Sequence, residues 1–344
     1  MRIIIPMKIL FGVQTEGNGH TIQAIATKQF LEENGHQVSC AFAAKKNKGL
    51  AKFFTDEFKV VEYDGFDFVF GKDGKMILWK TILKNTYELP KFIYSFYKIC
   101  KTINKEKPDV ICNFYEPLVG LSALLYPKIK YISIGHQYAM TLPQYPQISG
   151  FPIQKFFLKL INCVSSINAK ILALSFYEIK NDNILVCPPI LRNESYVKSN
   201  DTQDFILVYL MNEDMLPDLI NQAGIHKNIS IECFTRLTKS FDLPSNLKVH
   251  NLNGKLFQEK MKVCKSVVCS GGFETTSEAI LQNKPVLMIP MPNHYEQHAN
   301  CNDAKLAGYA NYNNKIDLDK IPQSQIDNTE WFLSYKDKLN QLFK

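Results

Sequence analysis

The sequence predicts an α/β protein of two doubly wound domains that face a central cleft. Three observations carry this prediction. Short unbroken apolar runs, such as Val110-Ile-Cys112 and Tyr131-Ile-Ser-Ile134, recur between longer helical stretches, as strands buried on both faces of a parallel sheet do. The length of 344 residues exceeds what one small core supports. Between two such series lies Pro188-Pro189, followed by a polar run from Arg192 to Asp204 with the composition of a linker. The predicted boundaries are a first domain over 1–190, a linker over 191–204 and a second domain over 205–325. A terminal helix over 326–344 is expected to pack back on the first domain. Ligands of such folds bind outside the carboxyl ends of the strands.

In the first domain the apolar runs place strands at 8–13, 36–42, 58–62, 109–113, 129–134, 171–174 and 184–187. Helices fill 20–34, 76–105 with a break at Pro90, 117–125 and 152–168. In the second, strands fall at 205–210, 229–234, 247–250, 266–269 and 285–290, and helices near 214–223, 256–264, 274–282 and 295–307. The halves share this architecture without repeating in sequence.

Composition narrows the class. Hydrophobic residues make up 46% and charged residues 21%, ordinary for a soluble globular chain. No segment reaches the roughly 18 apolar residues of a membrane span, and the apolar part of the first ten residues is too short for a secretion signal. The nine cysteines form no CxxC pair and show no zinc spacing, so they read as reduced core thiols of a cytoplasmic protein. The net charge of +7 is uneven: residues 1–190 hold 23 Lys/Arg against 15 Asp/Glu, and residues 191–344 hold 17 against 18. The first half is therefore the one suited to an anionic surface.

Two stretches carry chemistry. The first is Glu16-Gly-Asn-Gly-His20-Thr-Ile-Gln23, between a buried strand and a helix. Its glycines permit close approach of backbone to ligand. The positive end of the helix disfavours imidazolium, so His20 is kept neutral and able to accept a proton. A turn or capping histidine with no proton to move is the alternative. The second stretch is Val267-Val-Cys-Ser270-Gly-Gly-Phe-Glu274-Thr-Thr-Ser-Glu278, continued by Pro290-Met-Pro-Asn-His-Tyr-Glu296-Gln297. A strand ends at Cys269, and the turn Ser270-Gly271-Gly272 opens a helix whose N-terminus is an anion site. Thr275 and Thr276 add hydroxyl donors for a phosphate. Glu278, one turn in, can accept both hydrogens of a ribose diol, and Glu296 with Gln297 can bond sugar hydroxyls.

This second segment resembles the donor-binding signature of the GT-B UDP-glycosyltransferase superfamily. That superfamily includes glucuronosyltransferases, plant secondary-metabolite transferases, the bacterial peptidoglycan N-acetylglucosaminyltransferase and a group of uncharacterised bacterial and archaeal relatives. The layout is similar over the whole chain and the motif over about 45 residues. The resemblance implies a GT-B fold and an inverting, metal-independent transfer of a sugar from a nucleotide-sugar, UDP-linked, to a hydroxyl acceptor. The basic first half points to a cell-surface polysaccharide or lipid-linked intermediate as that acceptor. The nucleotide-sugar is a co-substrate, and no cofactor or metal is implied. On the same basis Glu278 holds the ribose, Gly272 matches the signature glycine, Thr275 contacts phosphate, and Glu296 and Gln297 read the donor sugar. Gly17, Asn18 and Gly19 border the donor, His20 is the base, and His136 and Gln137 line the acceptor side.

Departures are visible. Ser270 stands where plant members carry a histidine, and Glu274 places a carboxylate beside the diphosphate. Asn113 holds the position of an aspartate that orients the base in many relatives. Its amide carbonyl can fix the ring but not stabilise imidazolium by charge, so either His20 is a weaker base, or the carboxylate of Glu116 or another carboxylate takes that role. Two alternatives remain, a nucleotide-sugar 2-epimerase on the same fold and a catalytically idle nucleotide-sugar binder.

Residues 76–107 mix Trp79, Tyr87, Phe92, Tyr94, Phe96 and Tyr97 with seven lysines against Glu88 and Glu106. This suits an anionic membrane surface, and with it a location on the inner face of the cell membrane. A core stripe with a solvated lysine face is the other reading. No nucleic-acid-binding motif accompanies the charge. A dinucleotide fingerprint fails at Ile22, where the third glycine would stand, and Asp317-Leu-Asp319 lies in a polar tail rather than after a mid-domain strand.

Overall fold

The computed structural model describes residues 5–45, 49–66, 69, 77–199, 201–326 and 329–343. The chain forms two compact units, one made of 1–145, 150–192 and 334–344, the other of 146–149 and 193–333.

Unit 1 is built on seven strands: β1 (Lys8–Val13), β2 (Gln37–Ala44), β3 (Val60–Tyr63), β4 (Val110–Phe114), β5 (Lys130–Gly135), β6 (Ala169–Leu174) and β7 (Leu185–Cys187). They form one parallel sheet in the order β3-β2-β1-β4-β5-β6-β7. The order reverses between β1 and β4, which is where doubly wound sheets bind ligands. The helices are α1 (Gly19–Glu33), α2 (Lys52–Thr55), α3 (Leu78–Tyr87), α4 (Leu89–Glu106), α5 (Pro117–Ser122) and α6 (Pro152–Ser165). β1 and β4 are buried almost end to end, as the apolar runs required. Gly12 lets α5 lie close on β1, since a Cβ there would come within 2.7 Å of the Val119 side chain. Gly120 in turn lets α6 approach α5, because a Cβ would meet the Val164 carbonyl at 2.3 Å.

The break expected at Pro90 within 76–105 falls instead at Glu88, between α3 and α4. Glu88 leaves helical geometry and α4 restarts with Pro90 in its first turn, where the missing N–H costs nothing. Residue 76, the first of that expected helix, lies outside the described residues.

Unit 2 holds β8 (Phe205–Tyr209), β9 (Ser230–Phe234), β10 (Leu247–His250), β11 (Ser266–Cys269), β12 (Val286–Met288) and β13 (Ala310–Tyr312). These form a second parallel sheet, β10-β9-β8-β11-β12-β13, which reverses between β8 and β11. Its helices are α7 (Leu216–Ile225), α8 (Gly254–Val263), α9 (Phe273–Leu281), α10 (Tyr295–Leu306) and α11 (Thr329–Leu333). β13 was not expected, because Ala-Asn-Tyr offers no apolar run. A last helix, α12 (Tyr335–Phe343), belongs to unit 1 and packs on β7, with Lys338 bridging to Glu178 at 3.5 Å. Each sheet has its own apolar core: Leu10, Ile111, Leu118 and Tyr131 in unit 1, and Val208, Leu219, Val268 and Leu287 in unit 2.

All nine cysteines are free, and Cys163 is the exposed one. Among the described residues no helix is long and apolar enough to cross a membrane.

Candidate active site

In unit 1 the loop after β1 carries Gly17 in the left-handed region (φ +76°), with Asn18 exposed at the start of α1. Thr21 Oγ1 donates to the Asn18 carbonyl at 2.6 Å and tightens the first turn. His20, the second residue of α1, is buried. Its Nδ1 lies 3.3 Å from Gln23 Oε1, and its Nε2 lies 3.1 Å from Gln137 Nε2. In the neutral tautomer protonated at Nδ1, that N–H donates to Gln23 Oε1 and the Nε2 lone pair accepts from the Gln137 amide. The ring is stacked between Tyr115, at 5.5 Å and 20°, and His136, at 5.8 Å and 18°.

Each partner comes from the carboxyl end of a neighbouring strand. Tyr115 follows β4 and His136 with Gln137 follow β5, while Gln23 sits one turn along α1. Tyr115 is a non-glycine residue at φ +62°, backbone strain of about 1–3 kcal/mol that packing must hold in place. Its phenol donates to the Leu158 carbonyl of α6 at 3.4 Å, and Asn162 of α6 donates to the Gln137 carbonyl at 3.0 Å.

Asn113 does not orient the ring. Its amide nitrogen donates to the carbonyls of Glu116 (2.9 Å) and Ser165 (2.7 Å), and its oxygen accepts from Glu116 N at 3.0 Å. It ties the end of β4 to the end of α6. Glu116 is the N-cap of α5, accepting from Val119 N at 2.9 Å. Burial pushes its carboxyl up to about 7, against the Tyr63 phenol beside it and the α5 N–H groups. The residue that meets Nδ1 is Gln23, three positions after the histidine. Its signal in sequence is only that i and i+3 share a helix face.

In unit 2, β11 is buried throughout and ends at the turn 270–272. Gly271 is required by packing, since a Cβ would come within 2.8 Å of Cys301 Sγ and the Gln297 carbonyl of α10. Asn300 of the same helix donates to the Gly271 carbonyl at 3.1 Å. Gly272 caps α9, whose first-turn N–H groups have no carbonyl four residues back within the helix. Glu274 is buried in that first turn, where the dipole favours negative charge.

Two hydroxyls expected at the anion site are committed elsewhere. Thr276 is fully buried and donates to the Gly272 carbonyl at 2.8 Å. Ser270 Oγ accepts from Met211 N at 3.1 Å and lies 3.8 Å from Met215 Sδ. Thr275, half-buried at the helix start, is the hydroxyl left at that end.

Glu278 Oε1 accepts from Ser195 Oγ at 3.0 Å and from Gln258 Nε2 at 3.3 Å. One turn on, Gln282 donates to the carbonyls of Ser195 (2.5 Å) and Val197 (3.2 Å). These residues line a surface pocket with Glu194 and Met261. Ser195, Gln258 and Gln282 were not picked out from the sequence; the first two are distant in the chain and meet Glu278 only in the fold. Glu296 is half-buried in the first turn of α10. Gln297 is buried: its carbonyl accepts from Met291 N at 2.9 Å, and its amide lies 3.6 Å from Met211 Sδ. It braces the loop after β12 through its side-chain oxygen. Among the described residues no group of three or more His, Cys, Asp or Glu could hold a metal ion.

Residues 7–328 match the profile of glycosyl transferase family 1. An uncharacterized glycosyltransferase of Methanosarcina mazei is 25% identical over 338 residues, covering 88% of this chain and 85% of that protein. Among solved structures, MurG of Acinetobacter baumannii superposes with a TM-score of 0.54 at 17% identity, covering 90% of this chain and 86% of its own. The glycotransferase of kitacinnamycin gives 0.61 at 14% identity over 99% and 95%. The spinosyn rhamnosyltransferase SpnG, solved with thymidine diphosphate, gives 0.58 at 12% identity over 98% and 95%.

Proposed function

The chain belongs to glycosyl transferase family 1 and has the GT-B fold, and from that membership we propose that this glycosyltransferase moves a sugar from a nucleotide-sugar to an acceptor hydroxyl with inversion. What supports the reading is the placing of His20, with Nδ1 against Gln23 Oε1 and Nε2 against the Gln137 amide: a proton held on Nδ1 leaves Nε2 the basic atom at the carboxyl edge of β1. The acceptor hydroxyl displaces the Gln137 amide from Nε2 and gives up its proton there as its oxygen attacks the anomeric carbon. The bond from that carbon to the diphosphate breaks, and its electron pair leaves with the diphosphate. The α9 N-terminus and Thr275 stabilise that charge. Glu278 takes the ribose hydroxyls, and Glu296 with the Gln297 amide bonds the sugar. Gly17, Asn18 and Gly19 form the exposed turn beside the donor, and His136 and Gln137 border the acceptor.

The test has two arms. Calorimetry against UDP and thymidine diphosphate should give binding to one of them, with a matching rise in thermal stability. Transfer from the corresponding nucleotide-sugar should give, by NMR, a product of inverted anomeric configuration. Binding of neither nucleotide, or a retained configuration, would overturn the reading.

Gln23→Glu isolates the ring's orientation. A carboxylate at Nδ1 stabilises imidazolium, so a higher pH is needed to free the base, and the acid limb of the kcat profile moves up. Gln23→Leu, which removes the acceptor, should lower kcat without moving that limb upward. Identical pH profiles for Gln23→Glu and the parent protein would show that Gln23 does not position the base.

A further inference from the structure

The helical layer of unit 1 that supports the His20 cluster turns apolar side chains outward. On α3, Trp79, Ile82, Leu83 and Tyr87 recur along one face, with Trp79 63% and Tyr87 85% exposed. α4 buries Phe92, Ile99 and Ile103 and exposes Ile93, Tyr94 and Tyr97. α6 buries Asn162 and Ser165 and exposes Ile153, Phe156 and Leu160. α3 packs on α4, and α5 packs on both α4 and α6, so the three faces belong to one layer. A surface helix normally turns a polar stripe to water, and monomers rarely expose apolar area this extended.

The layer is also basic. α3 and α4 hold six lysines against Glu88 and Glu106, and α6 holds Lys155 and Lys159 with no acid. Both glutamates are already paired, Glu88 with Lys91 at 3.4 Å and Glu106 with Lys8 at 2.7 Å. Tryptophan and tyrosine interleaved with lysine is the composition of helices that lie in a lipid interface.

We propose that the outer face of α3, α4 and α6 docks on an anionic lipid bilayer. α6 lies between β5 and β6 and so enters from the carboxyl edge of the sheet, the edge that holds His20, while α4 follows α3 and leads into β4. The inner side of α6 bonds Tyr115 and Gln137 while its outer side is apolar. One helix thickness, about 10 Å, thus separates the imidazole cluster from the docking face. The acceptor hydroxyl is then one carried by a membrane lipid, a clause that rests on the transfer reading above.

The test uses the whole chain and vesicles of phosphatidylcholine with or without phosphatidylglycerol. The protein should co-sediment with the anionic vesicles, weakly at high salt, and poorly with the zwitterionic ones. Trp79 emission should shift to the blue on binding, and the shift should vanish in Trp79→Phe. Trp79→Ser/Leu83→Ser/Phe156→Ser should weaken vesicle binding about tenfold or more, as should Lys80→Glu/Lys84→Glu, with nucleotide binding unchanged. Failure to bind anionic vesicles, or binding that neither variant weakens, would overturn the proposal. So would self-association abolished by the triple variant, which would assign the face to a second copy of the chain. Vesicle binding by a protein that takes up no nucleotide would leave the surface standing and remove the transfer reading.

Discussion

His20→Ala should lower kcat by about two to four orders of magnitude, the usual contribution of a positioned general base, while nucleotide affinity stays within a few fold. The split is expected because the groups proposed to grip the donor lie mainly in unit 2, on α9 and α10, whereas the imidazole lies on α1 of unit 1. The substitution also empties a space between Tyr115 and His136. Thermal unfolding of the variant separates a misfolded site from one that lacks only its base. Added imidazole should restore part of the rate, because the cavity is lined by the same stacked rings. A variant with undiminished turnover would make His20 a packing residue and leave the base to be found elsewhere.

Glu278→Ala should raise the donor KM by roughly two orders of magnitude with a small change in kcat at saturation. Each hydrogen bond from a ribose hydroxyl to a carboxylate is worth about 1.5–3 kcal/mol, and part of that is offset by release of the existing partners. Those partners are Ser195 and Gln258, and the Ser195 bond also fastens the segment 193–196 onto α9. Ser195→Ala is therefore the control: it removes that bond and leaves the carboxylate, with Gln282 still holding the Ser195 and Val197 carbonyls. If Ser195→Ala raises KM as much as Glu278→Ala does, the glutamate acts on the segment and not on the donor. An unchanged KM in Glu278→Ala would remove the ribose assignment.

The two sheets were legible because parallel strands buried on both faces must be continuous apolar runs, and β1, β4 and β11 are nearly nothing else. β13 was illegible for the same reason, since its three residues take their burial from α10 rather than from a pattern of their own. At the site, position in the chain was easier to read than direction of side chain. His20 falls at the start of α1, where its motif put it. Asn113 stands at the right strand end, yet its amide is turned into the β4–α6 junction. Gln23 could not be singled out, because an amide inside a helix becomes a ring partner only once the ring's rotamer is known. Within 76–107, Phe92, Ile99 and Ile103 are core, and Trp79, Tyr94 and Tyr97 lie outside it.

The helix α12 closes unit 1 against β7 with residues that follow the whole of unit 2 in the chain. On the ribosome, chains generally fold from the front as domains emerge. Here the leading half waits with one flank of its sheet bare until residues 334–344 arrive, while the trailing half has every strand it needs already made. Completion of unit 1 thus depends on prior synthesis of unit 2, and a nascent chain halted between them would hold neither a finished first lobe nor any means of finishing it.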